Sequence, residues 1–352
     1  MSNESLEALI TTGEQKFSKC GSRDDLLKCI DDFRSYPGEL TFNHKKTTIW
    51  CLLLTVVCIP SSVIGLARAQ NLGLTPFDVL TYGSLAVAMI TLIAFITLIC
   101  QACSQANRIP HLSKRMLFWS ASTDHGITGF GGDWESKMNT LKNTYGDFDR
   151  GFQRELTYGV KGVFPGDLHD LAYEYFAWKY TVKTYVPQVD SKGKVTMVEK
   201  NTDYNRYCLI IDFPWVKNIV VRGDGSSSFS LPRRVNTASS QFNSCFDVSG
   251  SDAITTAKFL KPTTVNHLLE MARIYGSANL EFSSNGKLCF SFTNSNMMDT
   301  NFQGMTLLEP DKFHDAIVTG IRLEHLFYAL HMIHRLAAQH DDNFSDGIRQ
   351  AS

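Results

Sequence analysis

Two stretches of this chain, Thr47–Leu66 (TTIWCLLLTVVCIPSSVIGL) and Val79–Cys100 (VLTYGSLAVAMITLIAFITLIC), contain no charged residue. Each holds roughly 20 residues, so as a helix each rises about 30 Å, the thickness of a bilayer core. The competing reading is a pair of buried core helices. Two uncharged stretches of spanning length, joined by the short loop ARAQNLGLTPFD, disfavour it. The pattern predicts an N-terminal two-helix transmembrane hairpin over residues 45–103, with spans at about 47–66 and 79–100. Pro60 interrupts the first span, and a membrane helix tolerates this where a neighbour satisfies the freed carbonyl. Gly83, Ser84, Ala86 and Ala88 offer the second span a small-residue packing face.

The flanks predict the orientation. Lys45 and Lys46 precede the first span, and Arg108, Lys114 and Arg115 follow the second, whereas the loop carries only Arg68 as a cation. Positive residues favour the cytoplasmic side, so both termini are expected there. The first forty residues are polar and charged, which predicts no cleavable leader. Nine cysteines without regular spacing read as free thiols in a reducing compartment. Cys100 and Cys103 form a CxxC at the exit of the second span and, lacking a partner pair, read as an interfacial pair. A net charge of −1 gives no electrostatic case for nucleic acid as a partner.

The soluble parts divide by pattern. Residues 1–44 read as a cytoplasmic arm with one amphipathic helix, opened by Ser22 and Asp25 at capping-box spacing and striped by Leu26, Leu27, Ile30 and Phe33. Residues 104–165 read as a linker and helical region, with a helix over about 134–145. Within it, the glycine-rich 125–132 matches neither a phosphate loop nor a dinucleotide fingerprint and reads as a flexible loop. Residues 166–340 read as an α+β cytoplasmic domain, and 341–352 as a flexible tail. Aromatic and β-branched residues predict strands from Leu171 to Tyr185, Lys194 to Val198, Tyr207 to Phe213 and Lys217 to Val221, with a turn over Pro187–Gly193. Helices follow over Asp252–Phe259, Pro262–Tyr275 and Ile321–Ala338, with a hairpin around Ser284-Asn-Gly286.

Candidate chemistry is sparse. Asp167, His169 and Asp170 form the densest group of metal-ligand types, at the mouth of the first strong strand; a polar turn is the plainer reading. On the last helix His334 falls on the apolar face, His331 at its border and His325 on the far side, so three ligands cannot converge from it. His267 and Glu270 fall opposite the stripe Val265, Leu268, Leu269 and Ala272, and are expected in solvent. Arg233 and Arg234 read as an exposed loop. No nucleophile elbow, paired zinc motif or P-loop is present, and no cofactor is implied.

One segment carries a family likeness. Phe242-Asn-Ser-Cys-Phe-Asp-Val248, then Ser251-Asp252, then Ala257-Lys-Phe-Leu-Lys-Pro262 opening a helix, resembles the C-terminal half of a bacterial two-pass membrane family. That family has a C-terminal domain of unknown function and is often a neighbour of LemA-type proteins. The likeness covers roughly residues 180–336. Lys261 stands where the family usually has threonine, and no catalytic residue carries over. The resemblance implies fold relatives and attachment to a bacterial inner membrane. The leading expectation is a membrane-anchored binding or scaffold domain, with the lipid bilayer and a protein as partners. A membrane-surface metal-dependent hydrolase and a secreted effector inserting into a host membrane stand as alternatives.

Overall fold

The elements are built as the local sequence dictates. The computed structural model describes residues 3–43, 49–50, 53, 56, 79–189, 193–223, 231–276, 278–293, 296–298 and 305–341. In chain order the helices and strands are α1 (Asn3–Phe17), α2 (Arg23–Arg34), α3 (Val79–Asp124), β1 (Thr128–Gly129), α4 (Trp134–Thr144), β2 (Gln153–Phe164), β3 (Leu171–Val189), β4 (Val195–Asp212), β5 (Ile219–Arg222) and β6 (Arg233–Arg234). They continue with α5 (Ser240–Cys245), β7 (Asp247–Gly250), α6 (Ala253–Phe259), α7 (Pro262–Tyr275), β8 (Asn279–Phe282), β9 (Lys287–Phe292), α8 (Pro310–Thr319) and α9 (Glu324–His340). Two compact units result: Met1–Ser120 with Thr300–Ile321, and Ala121–Asp299 with Arg322–Ser352.

The first unit is helical. The Ser22–Asp25 capping box forms as expected, and Leu26, Cys29, Ile30 and Phe33 are buried along α2. The spanning stretch behaves differently from the expectation. The helix does not end near Cys100; α3 runs 46 residues, through Pro110, to Asp124. Met89, Ile90, Leu92, Ile93, Ile96 and Ile99 are exposed, while Ile109, Leu112, Met116 and Leu117 are buried within the unit. Arg108 donates to Glu14 at 2.7 Å and Thr11 at 3.2 Å on α1. The Ser113 hydroxyl accepts from the Leu307 amide at 2.9 Å. The fall in hydropathy after Cys100 therefore marks a change of surroundings, and the backbone stays helical across it. Among the described residues one helix, counted from Met89, is long and apolar enough to cross a membrane, and its apolar window is unburied. The expected first span lies outside the described residues, except for Ile49, Trp50, Leu53 and Val56, which are helical.

The second unit is α+β. Its antiparallel sheet has nine strands among the described residues, in the order β1-β2-β3-β4-β9-β8-β5-β7-β6. On one face, Met138 and Leu141 of α4, with Tyr145 and Phe148, pack on Phe176, Trp178, Cys208, Ile210 and Cys289. On the other, Tyr275 of α7 meets Phe290 and Phe292 at 5.2 and 5.5 Å. The β8–β9 hairpin forms around its expected turn, with Gly286 at φ 77°.

Several elements depart from expectation. The 12-residue β2 lies where a linker was expected and pairs with β3 from Gln153↔Thr181 to Phe164↔Leu171. Its glycines hide it: a Cβ at Gly159 would sit 2.7 Å from the Phe176 ring. The glycine-rich 125–132 contributes β1, which pairs with β2 at its edge. Two expected strands, Lys194–Val198 and Tyr207–Phe213, are one 18-residue strand, β4. The polar run between them stays extended because every residue from Val195 to Ile211 faces a partner on β3. Pro187–Val189 belong to β3 rather than to a turn, and 190–192 lie outside the described residues. Arg233 and Arg234 form β6 against β7.

Candidate functional site

Strand alternation brings an unusual set of side chains to one face of the sheet. Arg206 on β4, Ser291 on β9, Asn279 and Glu281 on β8 and Arg222 on β5 share it through the register Cys208↔Ser291, Ser291↔Asn279 and Arg222↔Asn279. Asp147, in the short turn Gly146–Phe148 after α4, enters from above. Its Oδ2 accepts from Arg206 Nε at 2.7 Å. Its Oδ1 accepts from Asn279 Nδ2 at 2.8 Å and Arg150 Nε at 3.0 Å. Asp147 and Arg206 are fully buried. Burial alone would raise the carboxyl, but Arg206 and then Arg150 overcome it and hold Asp147 at about 2.

Glu281 has the opposite fate. It is 3% exposed. Its Oε2 accepts from the Gly146 amide at 2.7 Å. Its Oε1 lies 3.5 Å from Arg222, near enough for an ion pair but too far for a good hydrogen bond, and has no hydrogen-bond partner among the described residues. Burial and then the Asp147 charge push it up to about 7, against the pull of Arg222. Glu281 and Tyr145 line a cleft of about 250 Å³ with Asn143, Asn218, Ser283 and Asn285. The cleft thus presents a carboxyl that titrates near neutral pH among neutral polar groups.

A second feature is a free-standing arm. β2 leaves β3 at Thr181, and β9 reaches β4 only from Tyr207 onward. Val182–Val189 and Val195–Thr202 therefore continue as two strands that, among the described residues, pair only with each other. Tyr185, Pro187, Val189, Val195 and Met197 share one face of its tip by alternation. Tyr185 and Met197 are each 61% exposed. An isolated two-stranded hairpin is marginal in water, and this one carries apolar residues outward.

The sequence-predicted candidates are placed elsewhere. Asp167 and Asp170 are exposed, and His169 Nε2 lies 2.9 Å from Asp341 Oδ2. The loop's Leu168 and His169 amides both donate to His334 Nε2 at 3.3 Å. Gly166 permits this approach, since a Cβ there would stand 2.3 Å from the His334 ring. Burial, then His169, hold His334 below the usual imidazole range. With its Nε2 accepting two amides, His334 is occupied as a structural acceptor. Among the described residues no group of three or more His, Cys, Asp or Glu could hold a metal ion. His331 packs edge-on against Phe164 at 4.7 Å, and His325 is exposed. His267 corrects its expected solvent position: it is 4% exposed, with Nε2 2.7 Å from the Met332 carbonyl. The buried residues of α7, Thr264, Val265, His267, Leu268, Met271 and Tyr275, form one face, turned from the counted stripe so that His267 reaches α9. Glu270 accepts from the Tyr328 hydroxyl at 2.9 Å. Cys100 and Cys103 are exposed free thiols.

Asp147, Arg206 and Glu281 carry no motif. Arg222 in IVVR and Glu281 in NLEF are charged residues inside short strands that are buried throughout. Comparison with protein-family models, curated proteins and solved structures finds no match to this chain.

Two substitutions test the network. Asp147→Asn leaves Arg206 and Arg150 without a counter-charge, and denaturant titration should show a loss of about 3–5 kcal/mol. Glu281→Gln acts through pH. The folded Glu281 titrates at about 7 against 4.5 for the free group, so the native state keeps its proton longer. Its contribution to stability therefore falls as pH rises from 4.5 through 7, by on the order of 3 kcal/mol. Melting curves across that window should fall less steeply with rising pH for the glutamine variant than for the wild type.

Proposed function

We propose that this protein is a membrane-anchored binding module whose exposed β3–β4 arm docks a protein partner. The observation that carries this reading is the arm: apolar residues point outward at the end of two strands that neither neighbour supports. Docking would cover that surface and stabilise a hairpin that is marginal alone. On the face of the tip, further inward, Tyr175 stacks on Tyr207 at 6.3 Å, while Tyr180 stacks on Tyr204 at 5.3 Å on the opposite face. A partner strand could also add to an open edge of the arm by main-chain hydrogen bonds.

In this reading the spans 47–66 and 79–100 form the anchor, with both termini and the α+β unit on the cytoplasmic side. Support comes from the uncharged spanning stretches, the exposed apolar part of α3 and the lysines and arginines at their flanks. The family likeness implies the same bacterial inner-membrane attachment.

Photo-cross-linking from alkaline-washed membranes tests both halves. A photoreactive residue at Met197 should give one discrete protein adduct in the washed membranes, and one at the exposed control Ile254 should not. Release of the chain into the wash would remove the anchor. Equal adducts from both positions, or none from Met197, would remove the arm as the docking element.

A further inference from the structure

The second unit holds another cleft, of about 450 Å³, whose ten lining residues include Trp215, Lys217, Lys258, Phe259, Lys261 and His340. These residues come from the β4–β5 connection, α6, the start of α7 and the end of α9. Three of its ten lining residues are lysines, and none is a carboxylate. Elsewhere in the unit, lysines facing carboxylates are paired: Lys137 with Glu174, Lys179 with Asp203 at 2.8 Å, Lys183 with Glu199 at 3.0 Å and Lys287 with Asp212 at 2.9 Å. Among the described residues Lys217, Lys258 and Lys261 form no ion pair with a carboxylate; Lys261 donates only to the Gln339 carbonyl, at 3.3 Å.

The surroundings reinforce this charge. Asp252 and Asp341 adjoin the lining in sequence, but both are engaged. Asp252 caps α6 by accepting from the Thr255 amide at 2.7 Å, and Asp341 faces His169 at 2.9 Å. Lys261 is the N-cap of the 14-residue α7, makes no side-chain cap, and is followed by no acid in the first turn. Asp252 also feels the charge of Lys258, so it offsets part of that lysine's field, while the positive end of the α7 dipole adds to the ammonium groups. The aromatic wall is ordered: His340 stacks on Phe259 at 4.9 Å, and its Nε2 lies 3.0 Å from the Thr264 hydroxyl.

We infer that this cleft binds a phosphate-bearing ligand, with the phosphate among Lys217, Lys258 and Lys261. Lysine suits a phosphate as a mobile point charge with several donors. The volume exceeds that of a bare phosphate and lies in the range of small-molecule sites, so a larger group is carried against Trp215 and Phe259. That group is either a soluble nucleotide or the headgroup of a phosphorylated lipid. The inference is independent of the arm and its partner.

The test uses the full chain in phosphatidylcholine nanodiscs. In one arm ADP is titrated in by calorimetry. In the other, vesicles containing phosphatidylinositol 4-phosphate are pelleted and the co-sedimenting protein is measured against plain phosphatidylcholine vesicles. At least one probe should bind saturably, weaken with added salt, and weaken by about tenfold or more in Lys217→Gln/Lys258→Gln/Lys261→Gln. All three side chains are exposed, so melting temperature should stay close to wild type; the single charge reversal Lys258→Glu provides a second variant. Binding of ADP alone assigns the soluble source, and binding of vesicles alone assigns the lipid. No binding of either probe, or binding that the variants leave unchanged, overturns the inference.

Discussion

The Asp147 carboxylate collects donors from three separate parts of the chain: Arg206 on β4, Asn279 on β8 and Arg150 just beyond the turn. An unpaired charge in such a place costs several kcal/mol, so the turn can sit only where the strands set these donors. The aromatic layer follows from it. Phe148, one residue on, stacks on Trp178 at 4.8 Å, and Tyr145 and α4 complete the cover of that face. Gly146, one residue back, supplies the amide that holds Glu281. The two carboxyls share one face of one sheet, yet their surroundings drive them apart, Asp147 to about 2 and Glu281 to about 7. Asp147 is ionised at neutral pH and fixes structure; Glu281 is left close to its titration point at the edge of a cleft.

Elements that obey one local rule were legible in the sequence. Pro262 at the start and Gly276 at the stop bracket α7, and Asp252 caps α6. The β8–β9 turn needed only Asn285 and Gly286. Elements set by partners were not legible. β2 carries glycines because aromatic rings of β3 fill the space above them. β4 remains a strand through Asn201–Arg206 because β3 is beside it, and local propensity has little say there. His267 was assigned to solvent because the counted stripe ran through Leu269 and Ala272, while the face α7 buries is turned toward Thr264, Met271 and Tyr275 and takes His267 with it. The buried ionic network was invisible for a similar reason: Asp147 and Arg206 are far apart in sequence, and each looks like an ordinary surface charge.

The candidate sites divide along the same line. Asp167, His169 and Asp170 drew notice by proximity in sequence, but the fold uses the loop's amides to seat His334 and turns His169 toward Asp341. The polar cleft at Glu281, the basic cleft at Lys217, Lys258 and Lys261, and the arm each assemble from strands and helices that only the topology brings together. None of them has a spacing signature.

The unbroken course of α3 has a further consequence. A helix turns by about 100° per residue, so Val79 and Arg108 share one rotational phase. Arg108 is clasped by Glu14 and Thr11 of α1, and Leu112 and Met116 are sunk in the same helical unit. These contacts therefore set which side of the apolar stretch faces in any given direction. A single inserted residue near Gln101 would leave both halves chemically intact and swing one against the other by more than a quarter turn. The segment after Cys100 acts as an indexing shaft, and its length in residues matters as much as its composition.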